Sequence, residues 1–139
     1  MKPVVVIDTS VWIHYLVRPG AAVRRIVDDL WLSERLKMVA SPELIEEHAG
    51  VLARPAIRAL IPEEAGGALL DIIDGRVEML PALGEVPKLT RDPKDDKFVA
   101  CAVLAGADFL ISLGRDILAV GELGGVRVVT PVGFVGAGG

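Results

Sequence analysis

The stretch Val4-Val5-Val6-Ile7-Asp8-Thr9-Ser10-Val11-Trp12 opens the chain with four branched aliphatic residues in a row, followed at once by an acid. No polar residue interrupts the run, so it reads as a strand buried on both faces, the kind found inside a parallel sheet. Asp8 ends the strand. Open α/β sheets take their ligands outside the carboxyl ends of such strands, which puts this acid at the rim of a crevice with Thr9 and Ser10 as supporting hydroxyls. The position suits equally an acid that only caps the next helix. Both roles demand a short polar residue at a strand-to-helix turn, and the rest of the chain decides between them.

Outward from this strand, helices and strands alternate. Ser10 to Val17 is expected to be a short helix stopped by Arg18-Pro19-Gly20. Ala21 to Leu36 places Val23, Ile26, Val27, Leu30 and Trp31 at helical spacing, with Arg24, Arg25, Asp28 and Asp29 on the other side. Lys37 to Ala40 reads as a second strand, and Ser41-Pro42 starts a helix to about Ala53. Further helical turns follow over Ala56–Ile61 and from Pro62 to about Ile73, then a third strand over Arg76–Leu80. After the irregular stretch Pro81 to Thr90, Asp92-Pro93 caps a helix that becomes apolar from Phe98 to Ala105 and ends at Gly106. Asp108 to Ser112 is a fourth strand, Leu113-Gly114-Arg115-Asp116 the loop off its carboxyl end, and Val126 to Val129 the last strand. The glycine-rich end from Pro131 to Gly139 is expected to fray, leaving a folded domain over 1–131 and a tail over 132–139. Alternating strands and helices imply an α/β fold, a parallel sheet covered on both faces.

The composition fits one such domain. The chain has 139 residues, 52% hydrophobic and 24% charged, and only 4% are aromatic, so the core must be built from Val, Leu, Ile and Ala. A formal net charge of -4 argues against a broad basic surface that binds nucleic acid unaided. A nucleic-acid enzyme of this charge would need metal ions or a local basic patch. The single Cys101 excludes an intramolecular disulfide and a cysteine-based zinc cluster, and its alanine-rich helix suits a packing role. No signal peptide and no membrane span are expected, which places the protein in the cytoplasm without a membrane partner.

Three acids fall on faces that otherwise point to the core. Asp8 ends the first strand. Glu47 shares a helix side with Leu44 and Val51, and Asp95 shares one with Phe98, Val99, Ala102 and Val103. A charge on an apolar face is costly unless paired, protonated or bound to metal. Without evident basic partners, three carboxylates point to a hard divalent cation, Mg²⁺ or Mn²⁺, which takes carboxylate oxygens and engages phosphates. The plainer alternative is three unrelated caps and surface acids. His14 and His48 read as surface or packing residues, Trp12 and Trp31 as core or dimer-interface anchors, and Asp92 and Asp96 as cap and outer-shell acids. Arg18, Arg24, Arg25 and Arg115 read by default as solvated, with RNA phosphates as the other option.

At these residues the chain resembles the PIN-domain family, the small Mg²⁺- or Mn²⁺-dependent ribonucleases that include toxins of toxin–antitoxin pairs. The resemblance rests on Val-Ile-Asp8-Thr-Ser, Ser41-Pro-Glu-Leu-Ile-Glu-Glu47, Asp92-Pro-Lys-Asp95-Asp-Lys-Phe-Val-Ala-Cys-Ala and Gly-Ala-Asp108-Phe-Leu-Ile-Ser112, in the family's order over nearly the whole chain. It implies a three-layer α/β/α sandwich with a central parallel sheet, in which Asp8, Glu47 and Asp95 bind metal and Ser112 supports them. It also implies an RNA substrate, an antitoxin partner covering the acidic pocket, and compatibility with a homodimer. The family often carries a further Asp or Asn just after the fourth strand, where this chain has Gly114. Either Asp116 reaches the site from the loop as a fourth catalytic and metal-binding acid, or a second metal site is weak. The expected activity is therefore metal-dependent endoribonuclease, with a weak or inactive PIN-like domain that binds RNA or protein as its rival. A phosphotransferase with Asp8 as nucleophile would want a second Asp where Ser10 stands, and no Gly-x-Gly-x-x-Gly follows strand one to hold a dinucleotide.

Overall fold

The computed structural model describes residues 2–137. The first strand, β1 (Val4–Ile7), lies in the interior of a six-stranded sheet. Its neighbours are β2 (Lys37–Ala40) and β4 (Phe109–Ile111), both parallel to it, with Val5 opposite Met38 on one side and Phe109 on the other. The sheet continues outward through β3 (Glu78–Met79) beyond β2, and through β6 (Val126–Val129) and β5 (Glu122–Leu123) beyond β4. Strands β1 to β3 build the sheet in one direction, and the later strands build it in the other. The order thus reverses between β1 and β4, and a crevice opens at their carboxyl ends.

Val5 and Val6 are fully buried and Ile7 nearly so, as the unbroken aliphatic run requires, each contributing roughly 1.5–3 kcal/mol. Alternation divides them between two cores. Val5 and Ile7 pack on one face with Trp12 of α1 (Thr9–Val17), Val23 of α2 (Ala21–Arg24), and Leu69 and Ile73 of α5 (Ala65–Arg76). Val6 packs on the other face with Phe98, Val99 and Ala102 of α6 (Asp96–Ala105) and Ile117 of α7 (Arg115–Leu118). Helix α3 (Pro42–Leu52) sends Leu44 to the second core and Leu52 to the first. A four-residue helix, α4 (Pro55–Arg58), follows it. The result is the three-layer α/β/α sandwich.

Several elements differ from the sequence expectation. The long amphipathic helix from Ala21 is interrupted: after α2 the backbone widens into a π-helix over Arg25–Trp31. The wider turn brings Ile26, Val27, Leu30 and Trp31 all to the buried side. The sheet is not wholly parallel, because β5 and β6 form an antiparallel hairpin at its edge. Gly124 and Gly125 both have positive φ, 56° and 84°, as the tight two-residue turn between paired strands demands.

The expected fraying from Pro131 onward is not what the described residues do. Pro131–Gly136 forms α8, capped by Thr130, whose Oγ1 accepts from Gly133 N at 3.0 Å. Phe134 is fully buried and meets Phe109 edge-on at 5.0 Å between ring centroids. A single large aromatic outweighs the entropic penalty of the surrounding glycines, which is why the local composition misleads. Gly138 and Gly139 of the expected tail lie outside the described residues. Truncating Phe134→Ala should destabilise the domain by about 3–5 kcal/mol in urea unfolding. A change below about 1 kcal/mol would show that α8 does not close the core.

Candidate functional site

The crevice is built first by strand register. Ile7 pairs with Ile111, so the residues that follow, Asp8 and Ser112, emerge side by side. Asp8 begins α1 without using its side chain as a cap. Its Oδ2 instead accepts from Ser10 Oγ and from Ser112 Oγ, each at 2.7 Å. Each hydroxyl is itself oriented: Leu113 N donates to Ser10 Oγ at 3.1 Å, and Gly114 N to Ser112 Oγ at 2.9 Å. Both bonds fall on one oxygen, so neither uses the other. Asp8 is thus a buried carboxylate, 7% exposed, fixed by two hydroxyls and paired with no cation among the described residues.

Three more acids approach, two from the turn that leads into α6 and one from the start of α7. Asp92, Asp95 and Asp116 each offer a carboxylate oxygen within 4.8 Å of the others. Asp95 follows Asp92 by three residues across a 3-10 turn, Pro93–Asp95, in which side chains three apart eclipse. Asp92 Oδ1 caps that turn by accepting from Lys94 N at 3.0 Å. Asp116 stands in the first turn of α7, where Arg91 Nε reaches its Oδ1 at 3.3 Å from an exposed position. At roughly 5 Å and an effective dielectric of about 20, two ionised carboxylates repel by about 3 kcal/mol before solvent screening. Asp95 absorbs that strain: burial, then the charges of Asp8, Asp92, Asp116 and Asp96, push its pKa up to about 6. Such an all-oxygen, electron-rich donor set fits a hard divalent cation.

Glu47 stands apart from this group. Its Oε1 pairs with Lys97 Nζ at 2.6 Å, both side chains about three-quarters covered or more. The expectation that the acids lack basic partners therefore fails at Glu47, because Lys97 stands on α6, fifty residues away in sequence, and only the packing of α6 against α3 brings it there. Glu43, Glu46, Glu47, Arg54, Val86 and Lys97 line an open cleft of about 550 Å³. Asp96, expected in the outer shell, is buried and acts as a staple. Its Oδ1 accepts from Thr90 N at 2.7 Å, Thr90 Oγ1 at 2.8 Å and Leu89 N at 3.1 Å. Burial alone would raise its pKa, but these bonds outweigh burial and hold it below the usual carboxylate range. Glu43 does the same at the other end of the segment, accepting from Leu83 N at 2.8 Å. The irregular run Pro81–Arg91 is thereby pinned beside the crevice.

Sequence reasoning gave Asp92 a cap's role, and it is also part of the acid cluster; the three-residue spacing within a 3-10 turn was the available signal. Gly114 adjoins Asp8: a Cβ there would lie 3.8 Å from Asp8 Oδ2 and 3.4 Å from Ser112 Oγ. Thr9 is buried, and its Oγ1 lies 2.8 Å from Nδ1 of the buried His48. Trp12 and Trp31 are core residues, their rings 5.4 Å apart, and Cys101 is buried and free.

A mostly parallel sheet with carboxylates gathered at its switch point defines an α/β domain with an acidic crevice. The sequence profile of the PIN domain matches residues 4–116, and the chain belongs to the PIN-domain family. Its fold is similar to that of VapBC2 from Rickettsia felis bound to a DNA fragment from its promoter, at 13% identity and TM-score 0.59, over 91% of this chain and 98% of that one. It is similar also to the PIN domain of human SMG5, at 14% identity and TM-score 0.54, over 99% of this chain and 100% of that one. The sequence matches no curated protein. No helix among the described residues is long and apolar enough to cross a membrane.

The electrostatics of Asp95 set a signed pH dependence. Its folded pKa lies above the usual value, so its protonated form stabilises the fold at low pH and that contribution is lost as pH rises through about 6. In chelator, Asp95→Asn should therefore melt at a higher temperature than the native protein at pH 7, with the gap closing toward pH 4. Comparing the two at each pH cancels the opposite contributions of Asp96 and Glu43. A gap independent of pH would mean that Asp95 carries no such load.

Proposed function

We propose that the chain is a divalent-metal-dependent endoribonuclease and the toxin of a toxin–antitoxin pair. What carries this reading is the acid-lined crevice at the switch point, where Asp92, Asp95 and Asp116 bring carboxylate oxygens within 4.8 Å of one another and Asp95 has no ion-pair partner among the described residues. Asp8, Asp95 and Asp116 hold the ion, with Glu47 joining once it parts from Lys97, and Asp92 is added to the set named from the sequence. Ser10 and Ser112 keep Asp8 in place, while the hydroxyl of Thr9, expected from the sequence to join them, turns to His48 instead. When bound, Mg²⁺ or Mn²⁺ supplies a Lewis acid that activates water and offsets charge developing on the phosphoryl oxygens.

The chain's own groups supply the rest. The two hydroxyls on Asp8 hold its carboxylate in one orientation, so no reorganisation is needed when substrate arrives. Lys97 and Arg91, each already beside a carboxylate, are the cations placed to meet RNA phosphates at the rim of an otherwise acidic site. The fold shared with VapBC2 supports an antitoxin that covers the crevice, and a homodimer in the cytoplasm is consistent with that arrangement. Gly114 favours the second reading, a PIN domain with weak or no cleavage that binds RNA or a protein, and the SMG5 domain is a fold relative outside the VapBC pair.

Incubation of a mixed single-stranded RNA pool with Mn²⁺, Mg²⁺ or chelator tests the two. Metal-dependent cutting should fall by about a hundredfold or more in Asp8→Asn and in Asp95→Asn, the scale of loss when a charge-stabilising group leaves an active site. Cutting that persists in both variants sinks the site assignment, and a folded native protein that binds no Mn²⁺ calorimetrically moves the conclusion to the binding domain. Gly114→Asp, whose Cβ fits beside Asp8 at an ordinary backbone φ of -83°, should tighten Mn²⁺ binding and raise the cleavage rate.

A further inference from the structure

His48 lies where the three acid-bearing segments meet. It follows Glu47 on α3, its Nδ1 is 2.8 Å from the hydroxyl of Thr9, the residue after Asp8, and its ring packs at 6.0 Å from Phe98, one turn beyond Asp95. Trp12 of α1 closes the remaining side at 6.4 Å, edge-on. The ring is 2% exposed, so it is enclosed by these segments.

Packing alone does not call for a histidine here. Among Trp12 and Phe98 a phenylalanine would fill the space without the penalty of burying two ring nitrogens, and Thr9 could be a valine. A buried hydrogen bond nets only about 1 kcal/mol, so the polar pair adds little stability over apolar residues of the same shape. It does add direction. A satisfied polar contact admits one relative position of its two elements, whereas apolar faces slide.

We infer that His48 is a positioning residue for the metal site, holding α3 and Glu47 in register with Asp8 through its hydrogen bond to Thr9. The inference rests on the metal-dependent reading above and names the device that keeps acids from different segments together. It requires no contact between His48 and metal or substrate.

The test measures Mn²⁺ affinity by titration calorimetry beside urea unfolding, for the native chain, His48→Phe, His48→Asn, Thr9→Val and the His48→Phe/Thr9→Val pair. Loss of the link should weaken Mn²⁺ binding about tenfold, the lower end of what supporting partners of metal ligands contribute. Thr9→Val should show the same loss, and the double variant no more than either single one, since both remove one bond. Asparagine places an amide near the former Nδ1 while sacrificing the ring, so His48→Asn should be less stable than His48→Phe yet bind Mn²⁺ more tightly. A packing role predicts the opposite order. Additive losses, or affinities that follow stability, overturn the inference, as does native-like affinity in His48→Phe. A native protein that takes no Mn²⁺ overturns the metal reading, and this one with it.

Discussion

The parallel pairing of β1 with β4, which sets Ile7 opposite Ile111, is the constraint on which the rest of the molecule depends. It exists because two short runs of aliphatic side chains are each buried on both faces and can satisfy their backbone groups only against parallel neighbours. Where that pairing ends, Asp8 and Ser112 leave the sheet together, and the hydroxyl-to-carboxylate bond between them crosses 104 residues of sequence. The reversal of strand order at the same place removes any strand that could cover them. The crevice is therefore a consequence of topology before it is a feature of chemistry.

The charges around that crevice are balanced in different ways, and the differences assign the roles. Asp8 is held by hydroxyls, Glu47 by Lys97, Asp116 by Arg91 and Asp96 by the amides and hydroxyl at Thr90. Asp95 has no ion-pair partner among the described residues, and burial together with the neighbouring acids raises its proton affinity. A proton can relieve one such charge, and a divalent cation relieves several at once. The staples at Glu43 and Asp96 matter to the same balance, because they anchor the strap whose last residue, Arg91, meets Asp116.

Legibility in the sequence followed the range of the forces involved. The unbroken Val4–Ile7 run, the helix start at Ser41-Pro42 and the stop at Gly106, whose φ is 64°, are local signals and were readable. Asp92 was half readable, since its capping role showed in Asp-Pro and its place in the cluster needed the eclipsed geometry of a 3-10 turn. Glycine richness concealed α8, because composition averages over nine residues and the helix there rests on single ones, the Thr130 cap and the buried Phe134. The Gly124-Gly125 turn is a local hairpin signal, two left-handed residues between paired strands, whereas the two-residue strand β5 before it is too short to show a pattern of its own.

What the sequence by itself determined is the layer pattern, because periodicity and residue type act over a few residues and need no partner. It also carried the family, through short motifs kept in order along 4–116. What only the tertiary structure decided is which charges meet. Lys97 reaches Glu47 across fifty residues, Arg91 reaches Asp116 across twenty-five, and His48 reaches Thr9 across thirty-nine. Coulomb and hydrogen-bond energies depend on distance in space, and separation along the chain does not report that distance until the sheet has brought its carboxyl ends together.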